Sequence, residues 1–380
     1  MHNRKFAILA YDLPTKSGQM NILLINWRDI THPWAGGAER HVHELAKEWS
    51  VKKHRVTLLC GNYKGGLHRE VIDGIEILRI AGTYSIFFFA PFYYLLHLSK
   101  SNFDSVIEVA HGVPFFTPFF TSRKKILIVH HNHEKLWYTE WNRFIAAGGT
   151  FLENKVVPLV YRNVMIITLS NSVKKELQNL GLKKLEAIPP GIDRKVYKPY
   201  FPKPRKQTIL YLGRLRKYKR IDMLLNIFPK IKKRFPGSVL VIAGTGQDRA
   251  RLMRLARIYN LNDSVIFKGF VSEEEKVRLL QEAAVLVYPS IAEGWGLVSL
   301  EAAACGTPTI AFHASGIMDA VKDGKSGIIV RTKKEFYESL IRVLKDSKMK
   351  STLSKGALKW AEQFDWRKSA QAFLDVLQRD

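Results

Sequence analysis

Hydrophobic residues fall along the chain in short unbroken runs separated by longer amphipathic stretches, and the pattern is laid down twice. In the first half the runs lie at 21–26, 55–60, 75–80, 105–109, 125–130 and 165–169. Runs that are apolar throughout, rather than alternating, predict parallel strands buried on both faces. Between the first two, Ala38, Val42, Leu45, Ala46 and Trp49 share one face of a helix over 38–49. The stretch Lys198-Pro199-Tyr200-Phe201-Pro202-Lys203-Pro204 reads as a linker, because Pro blocks helix and central strand alike. The pattern then restarts, with runs at 208–212, 239–243, 265–268, 285–288, 309–312 and 327–330 and helical stretches such as 221–235 and 273–284. The expected organisation is an α/β protein with a first domain at 20–198, a linker at 199–206 and a second domain at 207–363. Residues 1–19 fit this scheme poorly. They are expected to be a disordered extension or an artefact of start-codon choice, with an edge strand over 5–10 as the alternative.

A chain of 380 residues suits two such units. The net charge of +26 calls for anionic company: nucleic acid, a phosphate-rich ligand or an acidic lipid surface, unless it serves solubility alone. No run reaches the ~18 apolar residues of a membrane-spanning helix, and the N-terminus lacks the apolar centre of a secretory signal. The two cysteines, Cys60 and Cys305, build neither a disulfide framework nor a four-ligand zinc site, so a reducing cytoplasm is the expected compartment.

Ligands of open parallel sheets bind beyond the carboxyl ends of the strands, so the chemistry is sought there. After the run at 285–288 comes Glu293-Gly-Trp-Gly-Leu-Val-Ser-Leu-Glu301, then Ala-Ala-Ala-Cys-Gly-Thr-Pro. Its glycines let a ligand approach the backbone, and a helix opening at Leu297 offers free N–H groups to an anion. A carboxylate can accept hydrogen bonds from two neighbouring sugar hydroxyls. After the run at 208–212 comes Gly213-Arg214-Leu215-Arg216-Lys217-Tyr218-Lys219-Arg220, cations suited to neutralising a diphosphate, unless they form only a solvated basic turn. Gly36-Gly37 precede the first helix, where backbone amides could meet phosphate or sugar, or simply close a tight turn. The run at 125–130 ends in His130-His131-Asn132-His133, a cluster without the H-E-x-x-H spacing or further ligands of a zinc site. Gly244-Thr245-Gly246 begins like a dinucleotide-binding turn, but Arg249 stands where a third glycine belongs.

The two glutamates seven residues apart, with Gly-Trp-Gly between them, resemble the E-x7-E motif of glycosyltransferase family 4, and Glu301-Ala-Ala-Ala-Cys-Gly-Thr-Pro matches that family's continuation. The resemblance covers essentially 20–380 in layout, with its specific motifs at 207–320. It implies a GT-B fold: two Rossmann-like domains facing across an interdomain cleft, the first binding acceptor and the second the sugar nucleotide. It also implies that a last helix, 364–380, crosses back to the first domain. Residue by residue, it places Glu293 on the transferred sugar, Glu301 on the ribose, and the amides of Gly296 and Leu297 on sugar and diphosphate. Arg214 and Lys219 inherit the diphosphate, although Arg220 replaces the glycine usual after that lysine. Gly36 and Gly37 become donors from the first domain. His130 aligns with a cleft histidine, with His131 and His133 as substitutes. Gly244 lines the nucleotide pocket, and Phe270-Val271 resembles the turn that reads the base through the main chain.

The resemblance implies a retaining hexosyltransferase with Glu293, His130, Arg214 and Lys219 as the catalytic set and a UDP-, GDP- or ADP-sugar as donor substrate. With no Asp-x-Asp pair in the chain, no cofactor and no metal are expected, Arg and Lys taking the place of a divalent ion. The expected acceptor is a cell-surface glycan or a lipid-linked glycan, with Phe115-Phe116 in its wall. The aromatic stretch 84–98, followed by Lys100, is either a core helix or an element lying in an anionic membrane interface, which would place the enzyme peripherally at the inner face of the cell membrane. Three rivals stand beside this reading. They are a glycosidase using Glu293 and Glu301, a non-catalytic sugar-nucleotide-binding protein, and a nucleic-acid binder, the last disfavoured because no recognition motif accompanies the dispersed charge.

Overall fold

The structure is a computed structural model that describes residues 18–200 and 207–379, so the expectations for 1–17 and for 201–206 of the linker lie outside the described residues. The first sheet is built from β1 (Asn21–Ile25), β2 (Arg55–Asn62), β3 (Arg69–Ile72), β4 (Ile75–Gly82), β5 (Ser105–Ala110), β6 (Lys124–Val129), β7 (Met165–Thr168) and β8 (Leu185–Ala187). The second holds β9 (Thr208–Leu212), β10 (Val239–Ala243), β11 (Val265–Gly269), β12 (Val285–Tyr288), β13 (Thr309–Phe312) and β14 (Gly327–Val330).

The strand orders are β3-β4-β2-β1-β5-β6-β7-β8 and β11-β10-β9-β12-β13-β14. The second sheet is parallel throughout. The first is parallel except for β3, which pairs antiparallel with β4 at the edge. With that edge strand set aside, each sheet runs outward in both directions from its first strand, the arrangement of a dinucleotide-binding fold. The order reverses between β1 and β5 in one sheet and between β9 and β12 in the other. Connections leave toward opposite faces there, and a crevice opens at the carboxyl ends of those strands.

The reason for these strands is legible in their burial. All of β1, β12 and β13 are buried, as unbroken apolar runs require once helices cover both faces of a sheet. The helix Gly37–Val51 turns Val42, Leu45, Ala46 and Trp49 into the first core. Against them pack Trp366, Ala370 and Phe373 of the final helix, Trp366–Gln378, and Trp49 Nε1 donates to Ala370 O at 3.0 Å. Each large apolar side chain there, Phe373 for example, contributes about 1.5–3 kcal/mol by its burial, which helps that face hold the final helix on the first domain.

The stretch 84–98 divides its two readings between its two faces. It forms the helix Ile86–Tyr93 continued by a wider turn, Tyr94–Leu98. Ile86, Ala90, Tyr94 and Leu98 enter the core, while Phe88, Phe89, Phe92, Leu95 and Leu96 stand in solvent. Among the described residues no helix is long and apolar enough to cross a membrane.

Candidate active site

Most of the residues singled out by sequence sit at or beside the points where the two strand orders reverse. Gly36 and Gly37 follow β1 and His130 follows β6 in the first domain, where His111, which the sequence did not single out, follows β5. Gly213 and Arg214 follow β9, and Glu293 follows β12, in the second.

In the second domain, the turn after β9 carries Lys219 into the protein, where only 8% of the residue remains exposed. Its Nζ donates to Glu293 Oε1 in an ion pair whose two side chains are each 10% exposed. Burial opposes the ammonium charge, but Glu293 and Tyr218 outweigh it and hold Lys219 above its ordinary value. Arg214 as a residue is exposed, yet its guanidinium is strongly desolvated by the protein around it. Desolvation works against its charge as well, and Tyr218, Glu39 and Glu293 overcome it. Two cations therefore remain charged at one strand end.

Gly296 has φ 94°, a left-handed conformation that glycine adopts without strain, and it opens the helix Leu297–Ala304 toward the crevice. Glu301 lies in that helix, 4% exposed. Its Oε1 accepts from Lys276 Nζ and from the Tyr197 hydroxyl, each at 3.0 Å. Its Oε2 is buried and has no partner among the described residues, and the same holds for Ser299 Oγ, Trp295 Nε1 and His130 Nδ1. Buried polar atoms are nearly always satisfied, so a cluster of unpaired ones around one motif marks a place for a polar ligand.

Three approaches bring the domains together at this point. A Cβ on Gly36 would stand 3.7 Å from Arg214 Cζ, one on Gly37 would stand 3.4 Å from Leu297 Cδ1, and one on Gly294 would stand 2.8 Å from the His130 carbonyl oxygen. Gly36, Gly37, His130, Arg214, Lys219, Glu293, Gly296, Leu297 and Glu301 thus surround one interdomain space. Gly244, Phe270 and Val271 lie further out, at the ends of β10 and β11. There Gly244 N donates to Gly269 O at 2.7 Å, and the Phe270 side chain projects into solvent. Phe115 is not part of an acceptor wall, because its ring is in the core, stacked on Phe87 at 4.6 Å.

On the first-domain side, Glu39 fixes the Gly-Gly turn by accepting from Gly36 N at 2.7 Å and from Arg28 and Trp27 Nε1. Burial raises its pKa less than Arg28, His111 and Arg214 depress it, leaving it at about 2. His130 Nε2 lies 3.3 Å from His41 Nδ1. Burial pulls the His130 imidazole down to about 4, with Glu39 opposing and His133 assisting, so it is neutral at neutral pH. The His131 ring lies 4.1 Å from that of His133, tilted by 34°, and His133 is tied to Glu153 through its amide and ring. His41, His111, Arg40, Tyr197 and Lys276 escaped the sequence reading. Arg40 binds both oxygens of Glu273 at 3.0 Å across the domains, so its role depends on a partner 233 residues away. Its only local sign is its place just after the Gly-Gly turn.

Residues 35–196 match the model of the family described as Glycosyltransferase Family 4, and residues 193–360 match that of Glycosyl transferases group 1. A glycogen synthase of Mycobacterium tuberculosis is 27% identical over 94% of this chain and 94% of its own. Among solved structures, a sucrose-phosphate synthase from Thermosynechococcus elongatus superposes with a TM-score of 0.81 at 20% identity, over 94% of this chain and 98% of that one. The Anabaena protein HepE, solved with UDP and glucose, gives 0.76 at 18% identity over 94% and 99%.

Proposed function

The chain is a glycosyltransferase of family 4 with the GT-B fold, and from that premise we propose that it moves a hexose, with retention and without a metal ion, from a nucleoside diphosphate sugar to a glycan or lipid-linked glycan. The observation that carries this reading is the meeting of Lys219, Glu293 and Arg214 at the adjoining ends of β9 and β12, facing Gly36 and Gly37 across the cleft. In it, the bond from the anomeric carbon to the β-phosphate breaks, a bond to the acceptor oxygen forms on the same face, and the acceptor's proton passes to the departing phosphate. Arg214, Lys219 and the amides of Gly296 and Leu297 stabilise the growing negative charge, and one such donor is typically worth ~2.7–4 kcal/mol of barrier. A site whose charge is already supplied by fixed cations supports metal-independent transfer. Glu293, held by Lys219, contacts the sugar. The free Oε2 of Glu301 accepts from the ribose, and neutral His130 orients sugar or acceptor hydroxyls. HepE was solved with UDP and glucose, which makes a UDP-hexose the first donor to try.

The acceptor's context is proposed to be a membrane surface on the cytoplasmic side. Among the described residues, only Ile258, Ile266 and Phe270 of the large exposed apolar side chains belong to the second domain. Apart from Tyr200 in the linker, the rest lie on the first, including Phe88, Phe92 and Leu96 along 86–98 and Phe144 and Phe151 on another helix. Exposed Lys100, Arg143 and Lys155 accompany them, the pairing of apolar and basic groups that suits an anionic interface. Cys60 and Cys305 are both buried free thiols, consistent with action in a reducing compartment.

Incubation with UDP-, GDP- and ADP-glucose and GDP-mannose in the absence of acceptor tests the chemistry. Release of the nucleoside diphosphate, with α-hexose as the first anomer seen by NMR, is expected. First appearance of β-hexose would overturn retention, and binding without release would favour the non-catalytic alternative. Cleavage of aryl glycosides without nucleotide would favour the glycosidase.

A further inference from the structure

Between β1 and the Gly-Gly turn, the chain makes a loop whose aromatic side chains are not used by donor chemistry. Trp34 is 55% exposed and Tyr84, which follows β4, is 65% exposed, with ring centroids 6.4 Å apart. Tyr84 meets Trp27 at 6.2 Å, Trp27 meets His111 at 4.9 Å, and His111 lies 6.0 Å from His130. His130 in turn backs onto Gly294, next to Glu293. An aromatic row therefore runs without interruption from the reaction centre to open solvent.

The row is built to be rigid. Asp29, at the root of the loop, forms an ion pair with Arg79 in which neither side chain is exposed, at 2.7 Å. Arg79 also donates to Thr31 Oγ1 at 2.9 Å. His32 Nδ1 accepts from Trp34 N at 3.0 Å, and its Nε2 lies 2.9 Å from Thr83 Oγ1, the residue before Tyr84. An exposed Trp and Tyr would ordinarily be mobile and poorly tolerated. Here a buried ion pair and a histidine bridge fix the backbone segments that carry both rings, which lowers the entropic cost of binding something on them.

Flat aromatic faces edged by hydroxyl and imidazole groups suit pyranose rings, whose C–H faces stack on aromatics while their rim hydroxyls take hydrogen bonds. We infer that exposed Trp34 and Tyr84, backed by half-buried Trp27, form a saccharide platform that carries the acceptor as an oligosaccharide, its reacting residue at His130 and earlier residues stacked outward. This rests on the transferase reading and narrows it: the acceptor is a chain of sugars, not a small polyol or polyol phosphate. The exposed apolar helix face at 88–96 begins beyond Tyr84, so a lipid carrier would lie outside the platform.

The test uses the full chain with malto- and manno-pentaose as probes, read by ligand-observed NMR and tryptophan fluorescence, with nucleoside diphosphate binding followed in parallel. Wild type is expected to bind at least one pentaose. Trp34→Ala and Tyr84→Ala should each weaken it about tenfold, as for loss of one stacked ring face, with diphosphate binding unchanged. Trp34→Phe and Tyr84→Phe should recover most of the affinity, which a merely structural role would not require. The proposal is overturned if both alanine variants bind the pentaoses as wild type does, or if neither pentaose binds while the diphosphate does. It is equally overturned if the variants lose anionic-vesicle binding instead, which would make the row a lipid contact. If the wild type binds no diphosphate, the donor reading fails and the saccharide arm still decides the platform.

Discussion

Lys219 and Glu293 form an ion pair that is nine-tenths buried at the carboxyl ends of β9 and β12, 74 residues apart in sequence. Water could hydrate either charge if the pair were only structural and at the surface. Placed in the cleft, the ammonium is a fixed positive charge awaiting a more anionic partner than one carboxylate.

Replacing that charge should therefore cost catalysis first. Lys219→Ala is expected to lower kcat about 10²–10³-fold, the usual effect of deleting one preorganised donor. The variant should still fold, with a lower melting temperature because Glu293 loses its partner. Steady-state kinetics and circular dichroism check this together. Near-wild-type turnover would remove Lys219 from the diphosphate site.

Glu301 offers a different signature. Its Oε1 is engaged by Lys276 and Tyr197, while Oε2 is buried and unpaired. Glu301→Gln keeps the shape and weakens acceptance from two hydroxyls, so donor KM should rise about tenfold, by roughly 1.4 kcal/mol, with a smaller change in kcat. A nucleotide with its ribose hydroxyls removed should bind wild type and variant alike. An unchanged donor KM would detach Glu301 from the ribose.

Acid should destabilise the first domain in two steps. His130 is held down to about 4 by burial, against an ordinary value of 6.5. Between those values the unfolded chain takes a proton that the folded imidazole refuses, so stability is lost as pH falls from about 6.5 to about 4, by ~3 kcal/mol for this residue. Glu39 has a folded value of about 2 against 4.5, so its contribution is full above 4.5 and is lost as pH falls toward 2. Urea midpoints measured from pH 7.5 to 4.5 should decrease below about 6.5, and less steeply in His130→Asn. A flat profile down to pH 5 would contradict the buried neutral imidazole.

Membrane attachment should depend on charge and apolar surface together. The protein is expected to float with vesicles containing anionic lipid and not with neutral ones. Phe88→Ser combined with Phe92→Ser should reduce flotation while leaving donor hydrolysis intact, since neither ring touches the core. Equal flotation with neutral vesicles would count against the electrostatic part.

Much of the second domain was legible because its strands are short, wholly apolar and punctuated by glycine. The segments at Thr208–Leu212, Val239–Ala243 and Val285–Tyr288 carry the same bounds in sequence and structure. Strand β3 was not legible, since its Arg-Glu-Val-Ile alternates exposed and half-buried positions at a sheet edge. The helices between Glu134 and Val160 were also missed, because Gly148, Gly149 and outward-facing Trp141 and Phe144 blur any helical stripe. In the proposed site, Glu293, Glu301, Arg214 and Lys219 stood out in the sequence through the family motifs they resemble. His41, Arg40 and Lys276 did not, because each acquires meaning only through a partner brought near by folding: His130, Glu273 and Glu301.

Thermal stability in the presence of UDP, GDP and ADP, measured for the wild type and for the double variant Arg214→Ala/Lys219→Ala, tests the diphosphate site most directly. At a hundredfold excess over its dissociation constant, a ligand selective for the folded state adds about 2.7 kcal/mol of stability. At least one of the three should raise the melting temperature of the wild type and leave that of the double variant unmoved. No shift in the wild type with any of them, or an equal shift in both proteins, would contradict the assignment of these two cations to a pyrophosphate.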